Sequence, residues 1–200
     1  MTEHYFSGEP SVADKRATIT AWIWDTEFTF TTASGVFAKE HLDKATDVLL
    51  RASPPPPAGS TLLDLGCGWG AIACAVAVAS PDTVVHAIDT NTRALELTRI
   101  NAERLELSER VVAFLPDDVP ADATYDQIWS NPPIRIGKAA LHDLLLRWLP
   151  RLTPDGTARL VVGKNLGADS LQDWLTDQGW PTARETSEKG FRVLVVRRPA

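Results

Sequence analysis

The chain has 200 residues, 44% hydrophobic and 23% charged, which suits one globular domain with a sizeable core and excludes a largely disordered chain. Its longest apolar run, Ala71 to Ala79, is far short of the about 20 residues that cross a bilayer, and the polar start Thr2-Glu3-His4 shows no secretory signal; no membrane association and a cytoplasmic location are expected. The net charge of −6 argues against indiscriminate wrapping of nucleic acid, yet residues 1–120 carry 9 Lys/Arg against 17 Asp/Glu and residues 121–200 carry 11 against 9, which leaves room for a basic surface late in the chain.

Residues 1–17 read as a polar arm containing Tyr5 and Phe6. Ile19 to Trp24 and Glu27 to Thr32 are rich in β-branched and aromatic residues around Asp25-Thr26, which predicts a hairpin. Leu42, Ala45, Val48 and Leu49 recur at helical spacing, so a helix is expected from about His41 to Arg51. Pro54 to Pro57 with Ala58-Gly59 stops it and forms a stiff connector. Residues 1–59 are therefore expected to be an accessory part of the same domain, and residues 60–200 its main fold.

From Thr61 the pattern alternates. Strands are predicted at Thr61–Leu65, Val84–Ile88, Val111–Leu115, Tyr125–Trp129 and Ala158–Val162. Helices are predicted at Trp69–Ser80, Asn91–Leu107, Ala139–Leu149 and Ser170–Gln178. Such alternation implies βαβ units, right-handed crossovers and a parallel sheet. Thr182–Thr186, a turn at Glu188-Lys189-Gly190 and Phe191–Val196 then form a hairpin that inserts an antiparallel strand. The expected fold is thus α/β and Rossmann-like, with a mostly parallel seven-stranded sheet. Trp22, Trp24, Trp129 and Trp148 are most simply core residues. Cys67 and Cys74 lack CxxC spacing and read as reduced thiols; no metal site is expected.

In an open parallel sheet, ligands bind at the carboxyl ends of the strands. Gly66, Gly68 and Gly70 follow the first strand there, in Asp64-Leu65-Gly66-Cys67-Gly68-Trp69-Gly70. Glycines let a ligand approach the backbone, and the helix that follows presents free N–H groups. The same residues satisfy a loose GxGxxA dinucleotide pattern, so glycines alone do not choose the cofactor. Asp64 helps choose: a carboxylate beside the turn repels a pyrophosphate but suits the ammonium of S-adenosylmethionine (SAM). Asp89 ends the second strand, where a carboxylate can accept from both ribose hydroxyls. Asp117 and Asp118 follow the third strand, and either suits an adenine amino group.

Asn131-Pro132-Pro133-Ile134 follows the fourth strand at the same edge. The Asn side-chain oxygen and the Pro132 carbonyl can each accept one hydrogen of a planar amino group. Holding both turns the nitrogen lone pair toward a methyl donor. Two prolines fix φ and so aim the carbonyl rigidly. In-line methyl transfer then needs orientation and desolvation rather than a strong base. An NAD-dependent oxidoreductase is disfavoured by both Asp64 and the Asn-Pro-Pro motif.

With these motifs the chain resembles class I SAM-dependent methyltransferases of the small-domain type, in particular single-domain relatives of the ribosomal small-subunit RNA guanine-N2 methyltransferase. The likeness runs through His4-Tyr5-Phe6-Ser7 with Pro10-Ser11-Val12, Gly35-Val36-Phe37 with Leu42-Asp43, Asp64 to Gly70, Asp89, Asn131 to Arg135 with Gly137-Lys138, and Lys189-Gly190-Phe191-Arg192. The resemblance implies that Gly66, Gly68, Asp89 and a carboxylate at Asp117 or Asp118 hold SAM, with Cys67 and Gly70 in the same turn. It places Phe37 over cofactor or target and Asn131 on the target amine. Ile134 stands where broader amino-methyltransferases have an aromatic residue, so stacking on a base must come from elsewhere, with Phe37 the candidate. Arg135 and Lys138 are expected to touch substrate; Arg147, Lys164, Lys189 and Arg192 lie in segments that can rim the site. His142 reads as structural. The expected substrate is guanine N2 in ribosomal RNA or the small subunit. Two alternatives stand: a protein glutamine N5-methyltransferase, and a catalytically silent SAM- or RNA-binding module.

Overall fold

The computed structural model describes residues 12–199. Tyr5, Phe6 and the motif residues His4, Ser7, Pro10 and Ser11 lie outside the described residues.

Strands β1 (Arg16–Ile23) and β2 (Thr26–Ala33) pair antiparallel from Arg16 opposite Ala33 to Ile23 opposite Thr26. The turn is therefore Trp24-Asp25, one residue earlier than expected. Both residues have positive φ, 47° and 61°, as a two-residue hairpin with right-handed twist requires. A tryptophan is an unusual occupant of that conformation. It is held there by its indole, which donates to the carbonyls of Leu50 at 2.8 Å and Ser53 at 3.1 Å. Both carbonyls belong to the end of helix α1 (Lys44–Ala52) and its cap, so the hairpin is tied to that helix. Trp22, expected in the core, is 66% exposed; it points away from the face that buries Ile19, Ala21 and Ile23.

The main sheet contains β3 (Thr61–Leu65), β4 (Val84–Ile88), β5 (Val111–Phe114), β6 (Tyr125–Ser130), β7 (Leu152–Gly163), β8 (Thr182–Glu188) and β9 (Phe191–Arg197). Their order is β5-β4-β3-β6-β7-β9-β8. All pairings are parallel except those of β9, which runs antiparallel to both neighbours. The chain travels outward from β3 to β5 and then returns to the other side of β3 as β6. That reversal makes the crevice at the carboxyl ends of β3 and β6 the topological switch point. Ser130 Oγ donates to the Leu65 carbonyl at 2.6 Å and ties the two strand ends together there.

Helices α2 (Ala71–Ala79) and α3 (Thr92–Arg104) cover one face of the sheet with α1 and the hairpin; α4 (Lys138–Trp148) and α5 (Ala168–Asp177) cover the other. Each face has its own apolar cluster. The first joins Phe28, Phe30, Val48, Leu49 and Val76 to Leu62, Val85 and Trp129 of the sheet. The second joins Leu145, Trp148 and Leu171 to Leu63, Ile128 and Leu160. Alternate residues of β3 thus face opposite layers, which is the two-residue strand period at work. Asn101 of α3 stitches the hairpin to the sheet layer: its side chain accepts from Thr31 N and donates to the carbonyls of Thr31 and Trp69.

Strand β7 runs well beyond the expected Ala158–Val162. Leu152 pairs with Tyr125, and the register then shifts before Thr157 meets Gln127. Among the described residues, no helix is long and apolar enough to cross a membrane.

Candidate active site

A cavity of about 450 Å³ opens at the switch point, a volume in the usual range for small-molecule sites. The glycine turn forms one wall. Gly66 N and Cys67 N both donate to the Ile88 carbonyl, at 2.8 and 2.9 Å, which folds the turn back onto the end of β4. Cβ atoms built on Gly66 or Gly68 would meet nothing within 4 Å. Both glycines line the cavity, so that open space is a cradle a ligand can fill. Gly70 serves differently: it caps α2 at φ 85° and packs against Thr98, away from the cavity lining.

Asp89 is half-buried and lines the cavity. Its Oδ2 accepts from Gly68 N at 3.0 Å and its Oδ1 from Asn91 N at 2.9 Å. Burial pushes its carboxyl pKa up, while those amide hydrogen bonds oppose the rise. Asp64 behaves differently from expectation. It is fully buried beneath the turn and does not line the cavity. One oxygen accepts from Ala73 N at 3.0 Å; Oδ1 has no hydrogen-bond partner among the described residues. Burial raises its pKa to about 7, with the charge of Asp89 adding to the effect. Cys67 is buried and its thiol is pushed well up by burial, so it contributes shape rather than a nucleophile.

Asp117 and Asp118 are exposed and do not line the cavity. Asp117 pairs with Arg147 at 2.7 Å, on the outside of the loop. The residue from this loop that does line the cavity is Pro116, because the chain turns outward immediately after it.

At the other end of the cavity lie Asn131, Pro132, Pro133, Ile134 and Arg135, with Phe37 facing them from the loop after β2. Pro133 (φ −74°, ψ 71°) centres an inverse γ-turn in which Ile134 N donates to the Pro132 carbonyl at 2.8 Å. One lone pair of that carbonyl is thereby used and one remains. The Asn131 side-chain nitrogen donates to Asp43 Oδ1 at 2.8 Å and to Thr46 Oγ1 at 3.1 Å. Asp43 also caps α1, accepting from Ala45 N and Thr46 N. Sequence reasoning assigned no role to Asp43 or Thr46; the available signal was an Asp just before an amphipathic helix, the position of an N-cap. Leu166 and Phe191, also unassigned, complete the apolar wall.

The basic residues divide. Arg135 lines the cavity and is exposed; Lys138, exposed at the start of α4, lies outside the lining. Lys164 is exposed after β7. Arg192 is buried against Asp169 and serves the fold, whereas Arg147 with Asp117 and Lys189 with Asp47 form exposed surface ion pairs. His142 stacks on Trp174 with ring centroids 3.5 Å apart, a packing role.

A nucleoside-sized crevice at the switch point, with a glycine turn and acidic strand end on one side and an Asn-Pro-Pro loop on the other, is the architecture of a class I methyltransferase. The chain belongs to the methyltransferase small domain family, whose profile matches residues 27–195, and it is a SAM-dependent methyltransferase. It is 32% identical over 200 residues to the uncharacterized protein YbxB of Bacillus subtilis, covering 99% of this chain and 100% of that one. It is 34% identical over 122 residues to ribosomal RNA small subunit methyltransferase C of Acinetobacter baumannii, covering 60% of this chain and 36% of that enzyme. Its fold matches that of the Thermus thermophilus 16S rRNA N2 G1207 methyltransferase, solved with AdoMet and guanosine. That match has a TM-score of 0.81 at 23% identity and covers 94% of this chain and 52% of that one. The chain thus spans all of the Bacillus protein but only about a third to a half of the two named RNA methyltransferases.

The residues present fit SAM. The cradle at Gly66 and Gly68 leaves room for a ligand against the backbone, and Asp89 presents a half-buried carboxylate to the cavity that suits ribose hydroxyls.

Proposed function

We propose that this protein methylates an exocyclic amino group of a nucleic-acid base, guanine N2 of ribosomal RNA being the favoured target. The observation that carries this reading is the arrangement of acceptors at the far end of the cavity. The Asn131 amide is held by its nitrogen, which leaves its oxygen to accept, and the Pro132 carbonyl of the next residue keeps one lone pair; both residues line the cavity. Two acceptors on consecutive cavity-lining residues suit the two hydrogens of a planar NH₂ group. Binding both draws the nitrogen lone pair out of conjugation and makes it available to a methyl donor.

Bound SAM supplies an electrophilic methyl group on its sulfonium. The chain's own contribution is orientation and exclusion of water, by Pro132 and Pro133 in a fixed turn and by the apolar wall of Phe37, Ile134, Leu166 and Phe191. The amine becomes acidic once alkylated and sheds its proton to water, so no general base is required. Arg135 at the mouth, with Lys138 and Lys164 nearby in sequence to the lining residues, offers positive charge to a phosphate backbone. The relatives named for ribosomal RNA methylation support this choice of substrate.

The experiment is transfer of labelled methyl from SAM to naked ribosomal RNA, assembled small subunits, transfer RNA and a protein extract. Label in ribosomal RNA or subunits supports the reading. Label confined to protein glutamine favours the amide alternative, and no transfer to any of the four favours a silent binding module.

A further inference from the structure

We propose that Asp43 is a positioning residue, and that its carboxylate sets which end of the Asn131 amide faces the reacting amine. This role rests on the amine-methylating function proposed above.

Asp43 Oδ1 gathers three donors: Ala45 N at 2.8 Å, Thr46 N at 3.2 Å and Asn131 Nδ2 at 2.8 Å. The first two belong to the N-terminus of α1, which steadies a negative charge at that point. The third lies 88 residues away in sequence, on the loop after β6. An ionised carboxylate only accepts, so the amide end that faces it must be the NH₂ end. Thr46 Oγ1 accepts from the same nitrogen at 3.1 Å, which uses its second hydrogen. With both hydrogens committed, Oδ1 is turned away from α1 and stands as an acceptor. An amide rotated by 180° would set two acceptors against each other at Asp43 and would offer donors to a target group that also donates. Asp43, which also lines the cavity, therefore fixes the hydrogen-bond polarity of the amine-binding end through its contact with Asn131. The same contact couples helix α1 to the site: displacing α1 from the sheet releases Asn131.

Because Asp43 also caps α1, substitution by Ala would confuse lost orientation with lost helix stability. Serine separates them. Asp43→Ser keeps a good N-cap but is too short to hold Asn131, whereas Asp43→Asn keeps a side-chain oxygen for both tasks. Three quantities are measured on the full chain: single-turnover methyl transfer to the best amine substrate, SAM affinity by calorimetry, and hydrogen exchange of the Asn131 side-chain amide by NMR. Asp43→Ser is expected to melt within a few degrees of wild type and to bind SAM within about twofold. It should lose the slow exchange of the Asn131 NH₂ and transfer methyl at least about 10-fold more slowly. Asp43→Asn should recover most of both. Combining Asp43→Ser with Asn131→Ala should slow transfer no further than Asn131→Ala alone, since both remove the same orientation. Wild-type transfer by Asp43→Ser, unprotected Asn131 hydrogens in the native protein, or two losses that multiply would overturn the role. Methylation by the wild type of no amine at all would instead overturn the underlying reading, and the positioning role with it.

Discussion

Replacing Asp64 by Asn tests the electrostatics of the glycine turn through stability alone. The Asp64 carboxyl is fully buried, with one oxygen unpartnered, and burial raises its pKa to about 7. In the unfolded chain a carboxyl titrates near about 3.9. Between those values the folded protein holds a proton that the unfolded chain has released. The group's contribution is therefore most favourable to the folded state below about pH 4, falls as pH rises, and levels off above about pH 7. At about 1.4 kcal/mol per pH unit, the full window is capped at about 4 kcal/mol, of which about 2–3 kcal/mol falls between pH 5 and pH 8. Asn cannot ionise and lacks this slope. Urea unfolding of ligand-free wild type and Asp64→Asn at half-unit steps from pH 5 to pH 8 measures it directly. The variant should gain on wild type by about 2–3 kcal/mol across that range, most of it before pH 7. Parallel profiles would refute the picture of a buried, ionisable carboxylate beneath the turn.

Asp89→Ala removes the half-buried carboxylate that lines the cavity and also the acceptor for Gly68 N and Asn91 N. SAM affinity, measured by calorimetry, should fall by roughly 10–150-fold with some loss of melting temperature; unchanged affinity would place the nucleoside elsewhere. Gly70→Ala forces a left-handed alanine at φ 85° and puts its Cβ 3.0 Å from Thr98, so urea unfolding should show a loss of at least about 1–2 kcal/mol. Phe37 is 48% exposed at the mouth of the cavity. Phe37→Ala should raise KM for RNA by about 5–150-fold, the worth of one stacked base, while SAM affinity and melting temperature hold. An unchanged KM would move stacking to Phe191.

Strand positions were legible wherever burial imposes a simple period. Thr61–Leu65 and Val84–Ile88 match the sequence reading residue for residue, since a parallel strand buried on both faces is a short apolar run between turn signals. Helix starts slipped by one to three residues where a cap was counted into the helix, as at Asp43, Gly70 and Asn91. Strand β7 was read short because Pro154, Asp155 and Gly156 look like a loop; only the register shift opposite β6 lets the strand carry them. The chemical motifs fall at one sheet edge, where strand order brings Gly66, Asp89 and Asn131 to one cavity. What the sequence hid was depth and partnership. Nothing in residue order distinguishes Asp64 under the turn from Asp89 beside the cavity, or predicts that the loop after β5 turns outward at Asp117. The contact between Asp43 and Asn131 depends on how α1 docks, a tertiary fact without a local signal.

The most direct measurement is the chemical identity of the methylated product. Small subunits or ribosomal RNA lacking the modification are incubated with SAM and the protein, digested to nucleosides and analysed by mass spectrometry, with Asn131→Ala as the paired control. A single new species is expected, guanosine methylated at N2. Asn131→Ala, still binding SAM, should make that species about 10²–10³-fold more slowly. Methyl found on a ring carbon, a ribose oxygen or a protein side chain, or formed equally fast by Asn131→Ala, would contradict that expectation.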